Sequence, residues 1–399
     1  MSERLMDGFP PRPDTQVTLA NWRTTPFNKW AFHHVREILP TAEIAHEPTN
    51  ARELPVRPAA LDRLRVTEAG RMLTVEQALE ATDTDALVVL HKGSIVVERY
   101  CNGMTERSPH ILMSVSKSML GLLAGILAGH GVLRVSQRVT DVIPELKATA
   151  WASATVANLL DMRTGVAFNE DYLATSGPMI AYRKAAGWNP LGPAEQPSDL
   201  RSFFHELREA DGPHGGRFWY VSPNTDLLGW VVERISGKRY ADLLGELLWQ
   251  PMGAAEGAYI TVDRLGAPRA AGGMCATTRD LARIGQMVLE GGTHRGRQVV
   301  PPSWIETIAN DGDPAAWSAG NLSSYFPGVP IHYRAKWYVE RTIPRLLFCL
   351  GIHGQSLFVD AKNEIVIAKF SSQPQPLDAE LIALTGKLVS ALRRELASS

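Results

Sequence analysis

The sequence predicts an α+β fold: an antiparallel sheet with flanking helices, built from the N- and C-terminal parts of the chain, with a helical domain inserted between them. Three observations carry this. Ala86-Leu-Val-Val-Leu-His91 and Ile95-Val-Val-Glu-Arg-Tyr100 flank Lys92-Gly93-Ser94, two β-rich runs about a glycine turn, as in a hairpin. Leu346–Gly351, Ser356–Val359 and Ile365–Phe370 are strand-like again near the C-terminus. Between these ends the period is helical, clearest where Leu227, Leu228, Val231, Val232 and Ile235 share one face of Pro223–Ile235. The expected division is 1–113 for an arm and the first part of the sheet domain, 114–270 for the helical domain, and 271–399 for the second part.

Taken in order, residues up to about Pro58 read as a Pro-rich arm with an aromatic cluster at Trp22, Phe27, Trp30 and Phe32 and a short helix over 31–39. Thr74 and Gln77 are spaced as a capping box for a helix over 74–82. After the hairpin an apolar helix begins near Ser114 and stops at Gly129 and Gly131. Thr155 caps a short helix ending near Asp161. Residues 166–218 form a long Gly/Pro-rich aromatic loop with one helix over 198–209, a length that usually signals function. Helices follow at 223–235, 240–249 and 277–291, and a closing helix at 377–396.

The chemistry concentrates in His110-Ile-Leu-Met-Ser114-Val-Ser-Lys117-Ser-Met-Leu. Ser114 and Lys117 lie three apart, so a helix places them on one face. The Ser114 hydroxyl then sits at a helix N-terminus, where amides are unpaired and the partial charge is positive. An amine held among Met113, Met119, Leu120 and Leu122 loses hydration, and its pKa falls. A serine beside a proton-accepting amine is what covalent catalysis requires. The bland reading makes Ser114 an N-cap and Lys117 a snorkelling side chain. Ser-x-x-Lys occurs nowhere else in the chain.

Composition sets the partners. The formal net charge of −1 offers no footprint for nucleic acid, and no Lys/Arg run suggests an anionic membrane. The most apolar stretch, Met119–Leu133, is short for a bilayer span and interrupted by Gly121, Gly125, Gly129 and His130. The first residues lack a secretory pattern, and three scattered cysteines, Cys101, Cys275 and Cys349, argue against a disulfide framework. A cytoplasmic protein is expected. His33-His34 points to different sides of a helix and no His-x-x-x-His occurs, so no metal site is expected.

Two further segments complete a site. Trp219-Tyr220-Val-Ser222-Pro-Asn224 lies at a helix N-terminus and offers a phenol whose pKa would fall beside a cationic Lys117. Tyr100-Cys101-Asn102 has the same shape but ends a strand ahead of the serine. Cys349-Leu-Gly351-Ile-His353-Gly-Gln355 pairs glycines in a strand, marking close backbone approach or a bulge. As an edge strand it would direct the Ile352 N–H toward the Ser114 N–H, forming an oxyanion hole.

In this order the three segments resemble the serine β-lactamase/DD-peptidase superfamily, and most nearly its class C-like branch of esterases and 6-aminohexanoate-dimer hydrolases. Met113-Ser-Val-Ser-Lys-Ser118, Asn169-Glu-Asp-Tyr172, Tyr220-x-Ser-x-Asn224-Thr-Asp226, Thr278-Arg-Asp-Leu-Ala-Arg283 and Gly351-Ile-His-Gly-Gln355 carry the resemblance. It implies a cleft between sheet and helical domains and a serine hydrolase without cofactor or metal. Ser114 would be the acylated nucleophile, Lys117 and Tyr220 the general base and acid in either order, and the Ser114 and Ile352 amides the oxyanion hole. Tyr172, Arg183, Ser222, Trp337 and His353 would contact substrate.

Two departures separate the chain from lactamases and peptidases. Tyr-x-Asn becomes Tyr220-Val-Ser222, and Lys-Thr-Gly becomes Cys349-Leu-Gly351, losing an amide and a cation. Arg183-Lys184 stands where an ammonium-bearing oligomer calls for acid, though Glu170 and Asp171 are near in sequence. The expected substrate is therefore a short ester or a linear amide, and ester hydrolysis is the safer expectation. The alternatives are a β-lactamase or DD-peptidase, a silent binding protein on the same fold, and a hydrolase using His353 as base, which lacks a Gly-x-Ser-x-Gly. A homodimer is admissible.

Overall fold

A computed structural model describes residues 4–61 and 63–398. Met1–Glu3, the start of the stretch read for a secretory pattern, lie outside them. The hairpin forms strands β1 (Thr84–His91) and β2 (Ser94–Tyr100). Its turn needs two left-handed residues, Lys92 at φ 50° and Gly93 at φ 73°, the geometry that matches strand twist. The apolar helix follows as α1 (Val115–Gly129), and α2 spans Pro223–Ser236. Helix α3 (Thr278–Leu289) is capped by Thr277, which accepts from the Asp280 N–H. Strands β3 (Ile331–Arg334), β4 (Trp337–Glu340), β5 (Leu346–Gly351), β6 (Gln355–Asp360) and β7 (Ile365–Ser371) come next, and α4 (Ala379–Ala397) closes the chain.

All seven strands make one antiparallel sheet in the order β3-β4-β5-β6-β7-β1-β2. The two ends of the chain meet where β7 pairs with β1, Ile367 opposite Val89. Alternation along each strand divides two cores. Val88, Leu90, Leu357, Val366 and Ala368 face α1 and α3, whereas Leu87, Val89, Phe358, Ile365 and Ile367 face α4 and the helix Val75–Ala81. Burial on both faces explains why β1 reads as an unbroken apolar run.

A second sheet joins Thr41–Ile44, Ala258–Thr261, Met274–Ala276 and His110–Ile111. Its short strands have no clear period and were not expected. Helices 302–310 and 314–318, and strands β3 and β4, were also unforeseen. The last two change one expectation. β5 lies between β4 and β6 rather than at an edge, although its pairing with β4 stops at Phe348 and Cys349–Gly351 pair with β6 alone.

The capping boxes at Thr74/Gln77 and Thr155/Asn158 are present. The expected helix over 31–39 is instead a turn at Asn28–Ala31 and a 3-10 turn at Val35–Glu37. In the long loop the helix shrinks to Leu200–Phe204, capped by Asp199, and another forms at Pro178–Ala185. No helix among the described residues is long and apolar enough to cross a membrane.

The glycines of α1 are a packing face. Gly121, Gly125 and Gly129 recur every four residues, and a Cβ on them would lie 2.1 Å from Ala335 O, 2.3 Å from the Trp304 ring and 2.5 Å from Pro301. Their missing side chains let the β3–β4 turn and the helix Pro302–Asn310 approach the helix that carries Ser114 and Lys117.

Candidate active site

Ser114 is placed from both sides. Upstream, His110–Ile111 pairs with Cys275–Ala276, and the Leu112 N–H donates to Met274 O at 2.8 Å. Met113 is held at φ 45°, a conformation costing about 1–3 kcal/mol and persisting only where the surroundings enforce it. The chain then turns into α1 with Ser114 at the N-cap, half-buried, its hydroxyl free of any capping bond. Gly351 fits against this segment because it has no side chain: a Cβ there would meet Leu112 O at 2.7 Å and Met113 Cβ at 3.0 Å.

Lys117, one turn on, is 1% exposed. Its Nζ lies 2.9 Å from Ser114 Oγ and donates to Ala271 O at 2.7 Å. Burial pushes its pKa down to about 7, only partly opposed by the charge of Glu170. Tyr220 lies on the same side, its ring centroid 4.8 Å from Lys117 Nζ and its hydroxyl hydrogen-bonded to Ser114. The expected fall in the phenol's pKa is overturned. Burial, then Tyr338 and Glu170, hold it well above the ordinary range. Burial thus favours the neutral phenol of Tyr220 and brings the pKa of the Lys117 amine near neutrality.

Ile352 opens the turn Ile352–Gly354 and lines the same cavity as Ser114. Among the described residues, neither the Ser114 nor the Ile352 amide donates in the hydrogen bonds of turns and loops.

Around this centre lies a network that sequence reading only partly found. Glu170 accepts from the Ser222 N–H and hydroxyl and from Tyr172 OH at 2.8 Å. Arg183 donates to Tyr172 O at 2.8 Å, tying the helix Pro178–Ala185 to the loop tip. Asp226 pairs with Arg269 and Tyr182 and accepts from the Ala271 N–H at 2.7 Å. Ala271 thus links a buried carboxylate to the lysine through the backbone of one residue. Asp226 was visible as a carboxylate four residues after Ser222 on a helix face. Arg269 and Ala271 carried no local signal.

Tyr172 lines the main cavity, of about 850 Å³, with Ser114, Tyr220 and Ile352. Arg183 and Ser222 line a second, narrow recess at Ser114, together with Met179 and Trp188. Two expected contacts lie elsewhere. Trp337 is fully buried in the core facing α1. Alternation puts its neighbour Tyr338 at the cavity instead. His353 is 2% exposed, bonded through Nδ1 to Gln373 O at 2.7 Å and packed edge-on against Phe32. Burial pushes its pKa down to about 4, so it pins the turn that presents Ile352. Tyr100 bonds to Glu98 on β2 and is no part of the site.

Residues 74–389 match the β-lactamase family model. The chain belongs to the β-lactamase family. It is a hydrolase of the serine β-lactamase superfamily, as its relatives also indicate. A 6-aminohexanoate-dimer hydrolase of Paenarthrobacter ureafaciens is 37% identical over 92% of this chain and 91% of its own length. A solved structure from Bacillus anthracis, provisionally named 6-aminohexanoate-dimer hydrolase, superposes with a TM-score of 0.88 at 28% identity, covering 97% of this chain and 98% of that one. A class C β-lactamase of Rhodobacter sphaeroides shares the fold, with a TM-score of 0.55 at 15% identity over 79% of this chain and 97% of that one.

Proposed function

We propose that this hydrolase forms an acyl-enzyme at Ser114 and acts on short esters and linear amides such as 6-aminohexanoate oligomers, without a cofactor. The observation that carries the reading is the 2.9 Å approach of Lys117 Nζ to Ser114 Oγ at the end of the main cavity. Near neutral pH a large fraction of the amine is uncharged, and its lone pair accepts the serine proton at that distance. The Ala271 carbonyl keeps the amine oriented.

Ser114 Oγ bonds to the substrate carbonyl carbon as the carbonyl π pair moves to oxygen, where the Ser114 and Ile352 amides stabilise it; such donors are worth about 3 kcal/mol each. Collapse breaks the bond to the leaving oxygen or nitrogen. That atom takes the Tyr220 proton, and the phenolate recovers one from the Lys117 ammonium. Water then attacks the acyl-enzyme ester, and the proton returns to Ser114 Oγ as that bond breaks. The order is Lys117 as base and Tyr220 as acid, because burial favours the uncharged form of each.

The rival reading as β-lactamase or peptidase has less support. No cation occupies the Cys349-Leu-Gly351 position, and Ser222 is engaged by Glu170 rather than turned to a substrate amide. Arg183, beside Tyr172, offers a guanidinium to the recess, which favours esters over an ammonium-bearing acyl group. The test is turnover of p-nitrophenyl acetate and butyrate, 6-aminohexanoate dimer and nitrocefin. Ester turnover that falls at least a thousandfold in Ser114→Ala supports the nucleophile. Turnover that survives in Ser114→Ala rejects it, and efficient nitrocefin hydrolysis promotes the lactamase reading.

A further inference from the structure

Ser114 divides two unlike spaces. On one side is a narrow recess in which Arg23, Glu170, Arg183 and Arg269 stand beside Met179 and Trp188. On the other, the cavity of about 850 Å³ runs away from Ser114 over the outer face of the sheet. Leu346, Phe348 and Leu350 of β5 floor it, since alternate residues of one strand share a face. From Ile352 to Leu346 the strand covers roughly 20 Å at about 3.3 Å per residue. Phe326 and Val329 wall one side and Ile382 of α4 the other. An apolar channel of this volume, open to a nucleophile, has the character of a ligand site rather than ordinary surface.

We infer that this channel is the leaving-group subsite, and that among the esters and amides proposed above those joining a small acyl group to a long alkyl or aryl alcohol or amine are preferred over those with a long acyl chain such as 6-aminohexanoyl. The assignment rests on the acyl-enzyme reading above. Two placements decide which half of the substrate lies there. Tyr220, the proton donor to the leaving atom, lines the channel, whereas the recess is lined by Glu170 and Arg183 instead. With the carbonyl oxygen held between the Ser114 and Ile352 amides, the group that departs toward Tyr220 extends along β5, and the acyl group faces the recess. The recess is too narrow for a long chain, which would also strip water from Glu170, Arg183 and Arg269.

The test compares two ester series. In one the acyl group is acetyl and the alcohol grows from ethanol through hexanol to decanol. In the other the alcohol is methanol and the acyl group grows from acetyl through hexanoyl to decanoyl. In the first, kcat/KM is expected to rise about fourfold per methylene that enters the channel. In the second it should stay flat or fall. Val329→Asp and Ile382→Asp, on opposite and partly exposed walls, should each lower the decyl-to-ethyl acetate ratio at least tenfold. A rise in the acyl series with a flat alcohol series overturns the assignment while leaving Ser114 as nucleophile. Flat behaviour in both series overturns it too. If folded protein turns over no ester of either series, the acyl-enzyme reading falls and this one with it.

Discussion

Ser114 and Lys117 are an ordinary hydroxyl and an ordinary amine until burial changes the second. At 1% exposure the ammonium loses its hydration, and only Ala271 O and Ser114 Oγ stand in for its water partners. The resulting pKa of about 7 predicts a pH dependence with a definite sign. Below pH 7 Lys117 is protonated and cannot accept the serine proton. With p-nitrophenyl acetate, kcat/KM should therefore climb with pH along one limb centred near 7. In Lys117→Met the limb should vanish and the rate drop by at least a hundredfold. A limb retained in Lys117→Met would assign the base elsewhere. His353 is a poor candidate for it, being held near 4 and turned to Gln373 O. The Ser-x-x-Lys spacing was legible in the sequence because a helix converts spacing into proximity. Ala271, which orients the amine, was not, because a backbone carbonyl leaves no trace in residue identity.

Elements were readable in proportion to how much of their period they displayed. The hairpin, α2, α3 and α4 carry long patterns or named caps and lie within a few residues of expectation. The two-to-four-residue strands of the second sheet are held by tertiary pairing rather than by propensity, and β3 and β4 are too short for alternation to stand out. Missing them made β5 look like an edge. The glycines of α1 were read as interruptions, yet they let neighbouring elements come close. Gly121→Ala tests this: the added methyl would sit 2.1 Å from Ala335 O, a backbone atom that cannot step aside cheaply. Urea denaturation should show a loss of about 1–3 kcal/mol. Intrinsic helix propensity alone would give a gain of roughly 1 kcal/mol.

Across the whole molecule, burying amines carries a cost that depends on pH. Lys369 lies in β7 at 1% exposure, bonded to Ser371 Oγ, and its pKa is also pushed down to about 7 by burial. An unfolded lysine titrates near 10.4. Between about pH 7 and 10 the unfolded chain therefore binds more protons than the folded one, and stability rises with pH. Below pH 7 both states are protonated and this dependence is flat. Each such lysine contributes a slope of about 1.4 kcal/mol per pH unit inside the window. Denaturation of Lys369→Met between pH 7.5 and 9 should show a correspondingly shallower rise than the parent. An equal rise would mean that Lys369 is not neutral in the fold.

The sequence by itself determined which chemistry was available. The Ser-x-x-Lys box, the downstream Tyr220 and the Gly351 segment are local patterns of residue type and spacing, and their order along the chain pointed to the family. Only the tertiary structure decided what those residues do together. It turned Tyr338 rather than Trp337 toward the cavity, and buried the His353 ring within the turn that presents Ile352. It also raised the Tyr220 phenol where a nearby cation had suggested the opposite. The physical reason is common to all three. Orientation and hydration depend on neighbours far away in the chain, brought close when β7 pairs with β1 and the second sheet holds the Ser114 segment.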